Sequence, residues 1–287
     1  HNKIMSLVDE IGSDGRLLLT KSKDIYHANL CEKLLVLSLA KICNYVPGAG
    51  IWLNTQRPEW NDANNALVGN GTSMVTVYYL KRFLEFFKKL ISQIKIDNID
   101  ISLEVLLWFN EVEKAMVTYK NINHGTISDQ DRMNYVSSFG KIFENYRRKI
   151  YSKGFSTSKK LSLDKLKSFI STICNQFDET ILINYSKKGL FDAYNTINID
   201  SKTQSIDVKK LDVMLEGQVA GLSCKSQNSN NEILTLKSLF SSNLYRTDMK
   251  SFILYPEKNI TPFLEKNIIR SETLKKSALL NKMVAEK

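Results

Sequence analysis

The chain has 287 residues, of which 43% are hydrophobic and 24% are charged, a composition typical of folded proteins and not of disordered ones. Its net charge of +10 comes from lysines interleaved with glutamates along helices, so it does not form the clustered basic face that a nucleic-acid-binding protein requires. No apolar run approaches the roughly 18–20 residues that cross a bilayer, so we expect neither a nucleic-acid nor a membrane partner.

Helical periodicity dominates the sequence from residue 27 onward. The first apolar pattern covers residues 27–45, and Pro47 and Gly48 are predicted to end that helix. Ser128 and Ser162 are followed by acidic residues, which is typical of helix starts. Further helices are predicted, in chain order, over residues 73–96, 101–120, 128–151, 162–185, 212–223, about 233–241 and 271–286.

One stretch alternates with the period of a β-strand. Between residues 189 and 211, apolar positions alternate on both sides of an Asp200-Ser201-Lys202 turn, which predicts a short β-hairpin. The remaining pattern predicts an all-α fold of antiparallel helical hairpins, with the β-hairpin as a small insertion. We expect residues 1–287 to be a single helical domain and a piece of a larger multidomain protein.

The cysteines and histidines give no pattern typical of a metal site. The four cysteines are scattered, with no C-x-x-C spacing, and only three histidines are present. We therefore expect no metal and no cofactor, with inorganic phosphate as the one co-substrate to consider. The sequence shows no readable targeting signal, and a cytoplasmic location is slightly favoured over a periplasmic one.

The segment TQRPEWNDANNALVGNG, residues 55–71, is the least ordinary part of the chain. Pro58 prevents a helix from continuing through Arg57, and the asparagines favour turns. Gly69 and Gly71 let the chain turn before the helix predicted from residue 73. A structured loop is therefore predicted here, where functional residues concentrate.

The side chains of this loop suit a sugar ring, whose faces are apolar and whose rim carries hydroxyls. Trp60 provides a flat apolar surface, Arg57 and Asn61 provide hydrogen bonds, and Glu59 and Asp62 provide carboxylates. The alternative interpretation is a helix cap with a surface ion pair between Arg57 and Glu59.

If this loop supplies the acid that cleaves a glycosidic bond with inversion, a second carboxylate is needed about 6.5–9.5 Å from it. Glu216, in the stretch MLEGQVAGL at a predicted helix start, is the preferred candidate, and Glu59 is another. Asp192 in GLFDAYN is the next candidate, with Tyr194 as a neighbouring aromatic for substrate binding. The alternative for Glu216 is a solvated helical glutamate.

The triplet Trp60-Asn61-Asp62 resembles the Trp-Asn-Asp motif of the cellobiose and chitobiose phosphorylases. The resemblance implies an (α/α)₆ toroid, complete or partial, with Asp62 as general acid and Trp60 lining the sugar site. The strings at residues 57–71 and 244–267 also resemble large bacterial proteins related to those enzymes. The family's phosphate-binding His with a later Thr-Gly-Ser is absent from this chain, so phosphate and water both stay open as nucleophile.

Three functions follow from these observations. The first is an inverting glycoside hydrolase or phosphorylase that acts on gluco-oligosaccharides, with Asp62 as acid. The second is a non-catalytic carbohydrate-binding or scaffold domain. The third is a helical interaction module whose positive charge serves an acidic partner. The sequence leaves the oligomeric state open.

Overall fold

The computed structural model describes residues 1–20, 22, 24–54, 65–120, 122, 127–224, 229–256 and 261–285. The chain divides into two compact units, His1–Tyr255 and Pro256–Lys287. The helices of the larger unit are α1 (Asn2–Ile11), α2 (Leu30–Ile42), α3 (Met74–Ser92), α4 (Leu103–Thr118), α5 (Asp129–Lys153), α6 (Leu163–Ile183), α7 (Leu215–Cys224) and α8 (Ser229–Phe240), with a 3₁₀ helix over Gly12–Arg16.

Serine side chains begin four of the long helices. The hydroxyls of Ser73, Ser102, Ser128 and Ser162 each accept a hydrogen bond from the backbone N–H three residues further on. Each bond satisfies one of the N–H groups that a helix start leaves unpaired. The predicted helices that begin near these residues are confirmed, to within a few residues at each end.

The larger unit also contains a five-stranded antiparallel sheet, with strand order β1-β2-β3-β6-β7. Its strands are β1 (Tyr45–Val46), β2 (Gly50–Trp52), β3 (Gly71–Ser73), β6 (Tyr194–Asp200) and β7 (Ser205–Lys210). Two small antiparallel sheets pair β4 (Asn98–Ser102) with β5 (Ser158–Ser162), and β8 (Tyr245–Arg246) with β9 (Ser251–Phe252).

The predicted all-α class is therefore wrong, and the toroid expectation fails with it, because the fold is mixed helix and sheet. The expected hairpin is present as β6–β7, but it belongs to the larger sheet and is not an isolated insertion. Strands β1, β2 and β3 have only two or three residues each. Such short strands show no alternation that a sequence pattern could reveal.

The core of the larger unit places the sheet against the long helices. Tyr45 of β1 packs edge-on against Tyr135 of α5 and Phe177 of α6. All three side chains are fully buried. Aromatic contacts of this kind stabilise a core beyond the apolar area they bury. They tie the first strand of the sheet to two helices that come much later in the chain.

The smaller unit contains α9 (Phe263–Lys266), α10 (Ser271–Lys276) and α11 (Ala278–Ala285). The single helix predicted over residues 271–286 is therefore two helices with a break at Ser277. None of these three helices has a buried residue. Within the described ranges of the whole chain, no helix combines the length and the apolar character needed to cross a membrane.

Candidate functional site

The β2–β3 connection carries the segment that the sequence singles out. Trp52 pairs with Thr72 in the antiparallel ladder. Beyond the ladder, the Leu53 N–H donates to the Gly71 carbonyl at 2.9 Å, and the Gly69 N–H donates to the Leu53 carbonyl at 2.6 Å. The two ends of the connection therefore lie side by side. We call residues 52–54 and 69–72 the stem.

Side chains and a neighbouring strand strengthen the stem. The Trp52 indole Nε1 donates to the Gly69 carbonyl at 3.1 Å, and Asn54 Nδ2 donates to Asn44 Oδ1 at 2.6 Å. On the other side, the Ile197 N–H of β6 donates to the Asn70 carbonyl at 2.8 Å. The stem is thus held across its own two chains and by its neighbours on both sides.

The predicted chemical residues of the loop lie outside the described part of the chain. They are Arg57, Glu59, Trp60, Asn61 and Asp62. The structure describes the stem residues on both sides of this segment. After the stem, β3 runs directly into α3, whose first turn is capped by Ser73.

A buried polar cluster lies beside the stem, around the turn between β1 and β2. Asn184 Nδ2 donates to the Gly48 carbonyl at 2.9 Å. Asn195 Nδ2 donates to the Ala49 carbonyl at 2.8 Å and to Asn184 Oδ1 at 3.0 Å. The Thr72 hydroxyl donates to the same Ala49 carbonyl at 2.7 Å. These bonds satisfy turn carbonyls that have no access to water.

Side chains of two helices also form hydrogen bonds with this turn. The Gly48 N–H donates to the Thr180 hydroxyl of α6 at 3.2 Å, and that hydroxyl also hydrogen-bonds with the Tyr45 hydroxyl. From α5, Arg132 Nε donates to the Pro47 carbonyl at 3.2 Å. Sequence reasoning missed this cluster, because Thr180, Asn184 and Asn195 lie inside stretches that read as an ordinary helix and strand. We call this cluster the turn clamp.

Glu216 lies in the first turn of α7 and is half-buried. Its Oε2 accepts a hydrogen bond from the Tyr194 hydroxyl at 2.9 Å. Burial raises the pKa of Tyr194, and the Glu216 charge raises it further, so the phenol stays protonated and keeps donating. The structure therefore brings together two residues that the sequence named separately.

Tyr194 pairs with Ser73, whereas Gly71 of the stem pairs with Thr196. Tyr194 therefore lies two residues along β6 from Thr196, the partner of Gly71, a distance of about 7 Å. The Tyr194–Glu216 pair sits beside the end of the ladder that leads into α3. The loop departs from the opposite end.

Asp192 is buried, and its Oδ2 lies 2.7 Å from Lys210 Nζ. The same ammonium group donates to the Ile183 carbonyl at 2.7 Å. Burial raises the pKa of Asp192, and the nearby Lys210 charge offsets only part of that effect. The ion pair therefore compensates a carboxylate that the fold has removed from water.

The residues that follow Glu216 have a packing role. The Gln218 side chain accepts from the Phe191 N–H at 2.9 Å and donates to the Phe191 carbonyl at 2.7 Å. A Cβ on Gly217 would lie only 3.0 Å from the backbone nitrogen of Ala193. Gly217 and Gln218 therefore let α7 pack directly on the chain that leads into β6.

Within the described ranges, no group of three or more His, Cys, Asp or Glu side chains is arranged to hold a metal ion. No protein-family model matches this chain, and no curated protein matches it.

Proposed function

We propose that this chain is a carbohydrate-active protein that binds gluco-oligosaccharides through residues 57–62 and uses Asp62 as a general acid. One observation carries the proposal: a Trp-Asn-Asp triplet with flanking arginine and glutamate, in a segment whose two ends are fixed by the stem. The proposal does not depend on a toroid fold.

The stem supports the proposal energetically. A segment whose two ends are held together loses less conformational entropy on binding a ligand than a segment with free ends does. The turn clamp beside the stem adds buried, hydrogen-bonded structure under β2 and β3. A carbohydrate site needs such preorganisation because sugar hydroxyls exchange bonds with water at little net gain.

The acid role imposes a requirement on Asp62. To protonate a glycosidic oxygen near neutral pH, its pKa must lie well above the reference value of about 3.9. A like charge on Glu59 and the apolar face of Trp60 are the groups that would raise it. Glu216 is the second carboxylate in this proposal, with its carboxylate oriented by Tyr194.

A non-catalytic carbohydrate-binding domain is the second candidate function, and one specific observation favours it. Both candidate carboxylates in the described residues have structural partners, since Glu216 is bound by Tyr194 and Asp192 by Lys210. In that case Trp60 would bind sugar without any turnover.

The test uses Asp62→Asn and Trp60→Ala, with gluco-oligosaccharides supplied in water and in phosphate. We expect Asp62→Asn to lower turnover by roughly 10²–10⁴-fold with nearly unchanged binding, because only the proton is lost. A glycosyl fluoride should be affected much less, since its leaving group needs little protonation. Asp207→Asn, at an exposed position on β7, is the matched control.

Trp60→Ala should abolish the fluorescence change that accompanies sugar binding. If sugars bind wild type but nothing is turned over, the binding-domain function is correct. If neither wild type nor the variants bind any sugar, the carbohydrate proposal is wrong.

A further inference from the structure

A cleft separate from the stem lies in the larger unit, where α2 and the chain that precedes it meet residues of α4 and α5. Its volume is about 550 Å³, within the range of small-molecule sites. It is lined by Arg16, Leu17, Leu18, Ile25, Tyr26, Ala28, Glu32, Lys33, Val36, Leu37, Val105, Tyr146 and Phe155.

The walls of this cleft are mainly apolar and partly aromatic. Leu18, Val36 and Val105 contribute aliphatic surface. Tyr26 stacks on Phe155, with ring centroids 4.0 Å apart. Such walls favour an apolar molecule over water, and the aromatic pair gives the cleft a defined shape.

Tyr146 supplies an unused polar group inside the cleft. The residue is only 8% exposed, and its ring stacks on Trp108 with centroids 4.1 Å apart. Among the residues that the structure describes, none hydrogen-bonds with the Tyr146 hydroxyl, although the tyrosine lines the cleft. The hydroxyl is therefore open to a hydrogen bond with a ligand oxygen in the cleft.

Glu32 forms the polar floor, and its carboxylate is already satisfied. Its Oε1 accepts from the N–H and the hydroxyl of Ser102 at 3.0 and 2.6 Å, and its Oε2 accepts from the Tyr26 hydroxyl at 2.7 Å. The buried negative charge repels an anion at this depth. The inner end of a ligand must therefore be neutral.

The rim of the cleft carries positive charge, opposite to the negative charge of Glu32 at its floor. Arg16 and Lys33 both line the cleft and are exposed, and neither forms an ion pair within the described ranges. Two uncompensated cations at the mouth attract an anionic group there. The charges of the floor and the rim thus define the direction in which a ligand enters.

We propose that this cleft binds a small amphiphilic carboxylate. The apolar body of the ligand fills the cleft, a neutral hydroxyl or carbonyl oxygen at its inner end hydrogen-bonds with Tyr146, and its carboxylate lies beside Arg16 and Lys33. This site is independent of the proposed carbohydrate function.

Three matched probes test the proposal by calorimetry: 10-hydroxydecanoate, decanoate and 1,10-decanediol. The first has both polar ends, the second lacks the inner hydroxyl, and the third lacks the charge. We expect 10-hydroxydecanoate to bind about 3–10-fold more tightly than decanoate, the gain from one hydrogen bond. We expect it to bind about 2–5-fold more tightly than the diol at low salt.

Variants of the protein test which residues contact each end of the ligand. Tyr146→Phe keeps the ring and should remove the preference for 10-hydroxydecanoate over decanoate, with decanoate affinity unchanged. The double change Arg16→Gln and Lys33→Gln should remove the preference over the diol. The matched controls are Tyr79→Phe on α3 and Lys41→Gln on α2, both exposed and neither in the cleft lining.

The location is tested with Ala28→Trp, which places a large side chain at an exposed position of the cleft lining. This variant should lower the affinity for all three probes by at least about tenfold. Probe binding to wild type should also change the fluorescence of Trp108, and Trp108→Phe should remove that change. Equal binding by wild type and Ala28→Trp would overturn the proposal, and so would the absence of binding by all three probes at millimolar concentration. Asp62→Asn should bind the probes as wild type does, so failure here is separate from failure of the carbohydrate proposal.

Discussion

Two β-hairpins in the same sheet are built in opposite ways. The turn between β6 and β7, residues 201–204, is exposed, whereas the turn between β1 and β2, residues 47–49, is buried. In the exposed turn, Asp200 Oδ1 accepts from the N–H groups of Lys202 and Thr203 at 2.8 and 3.4 Å. Among the described residues, the hydrogen bonds to that carboxylate come from within three residues of it.

The buried turn depends instead on distant residues. Asn184, whose amide binds the Gly48 carbonyl, lies 136 residues further along the chain. Asn195, bound to the Ala49 carbonyl, is 146 residues away. One hairpin is therefore specified locally and the other by the completed core. Substitutions at the two hairpins should therefore change the free energy of unfolding by different amounts.

The largest effect is expected from Asn184→Ala. This change removes two donated hydrogen bonds and the acceptor of Asn195 Nδ2 in a fully buried place. Leaving such groups unpaired should lower the free energy of unfolding by about 3–5 kcal/mol. Urea unfolding, monitored by circular dichroism, measures this loss of stability. Asn198→Ala, exposed on β6, is the control and should change stability by less than about 0.5 kcal/mol. A loss no larger than the control's would mean that the turn clamp does not stabilise the fold.

Gly50→Ala should have the next largest effect. Gly50 has φ 121°, and a Cβ there would lie 2.8 Å from the Ser73 carbonyl oxygen. Strain and backbone overlap together should cost about 2–3 kcal/mol. Gly69→Ala is the comparison, because Gly69 has φ 81° but no neighbouring atom within 4 Å in the described structure. It should cost only about 1 kcal/mol. Equal unfolding midpoints for the two variants would contradict the close packing of β2 on β3.

Thr180→Val should have a moderate effect. The change keeps the shape of the side chain but removes the hydroxyl that binds the Gly48 N–H and the Tyr45 hydroxyl. We expect the free energy of unfolding to fall by about 1–2 kcal/mol. Thr180→Ser retains the hydroxyl and tests whether the hydrogen bond or the methyl group matters. If the serine variant is the less stable of the two in urea, packing and not hydrogen bonding holds this end of the turn.

The smallest effect is expected at the exposed hairpin and depends on pH. Backbone N–H donation from Lys202 lowers the pKa of Asp200 below its ordinary value of 3.8, with help from Thr203. A lowered folded-state pKa stabilises the protein above the unfolded-state pKa, and that stabilisation disappears as pH falls through the folded-state value. Wild type should therefore be slightly more stable than Asp200→Asn at pH 7, and the difference should shrink as pH falls below 3.8.

Urea midpoints for both proteins across this pH range provide the measurement. Asp207→Asn, an exposed aspartate on β7, controls for the general effect of removing one negative charge. A difference between wild type and Asp200→Asn that stays constant as pH falls below 3.8 would show that the carboxylate charge does not stabilise this turn.

The candidate site was predictable in part. The sequence named Glu216 and Tyr194 as separate candidates, and only the folded chain brings them within 2.9 Å. Gly217 and Gln218, which follow Glu216 in the sequence, contact residues 191–193, and these are packing contacts. A pattern along one segment carries no information on which distant segment lies against it.

The sequence by itself determined the long helices and the β6–β7 hairpin. A helix forms its hydrogen bonds four residues apart, and serine caps such as Ser128 and Ser162 act three residues away, so these signals are local. Only the tertiary structure decided that Pro47 and Gly48, which read as the end of a helix, form a buried turn. It also decided that Gly71 pairs with Thr196. Strands of two or three residues have no periodicity of their own, so their pairing follows from the core that encloses them.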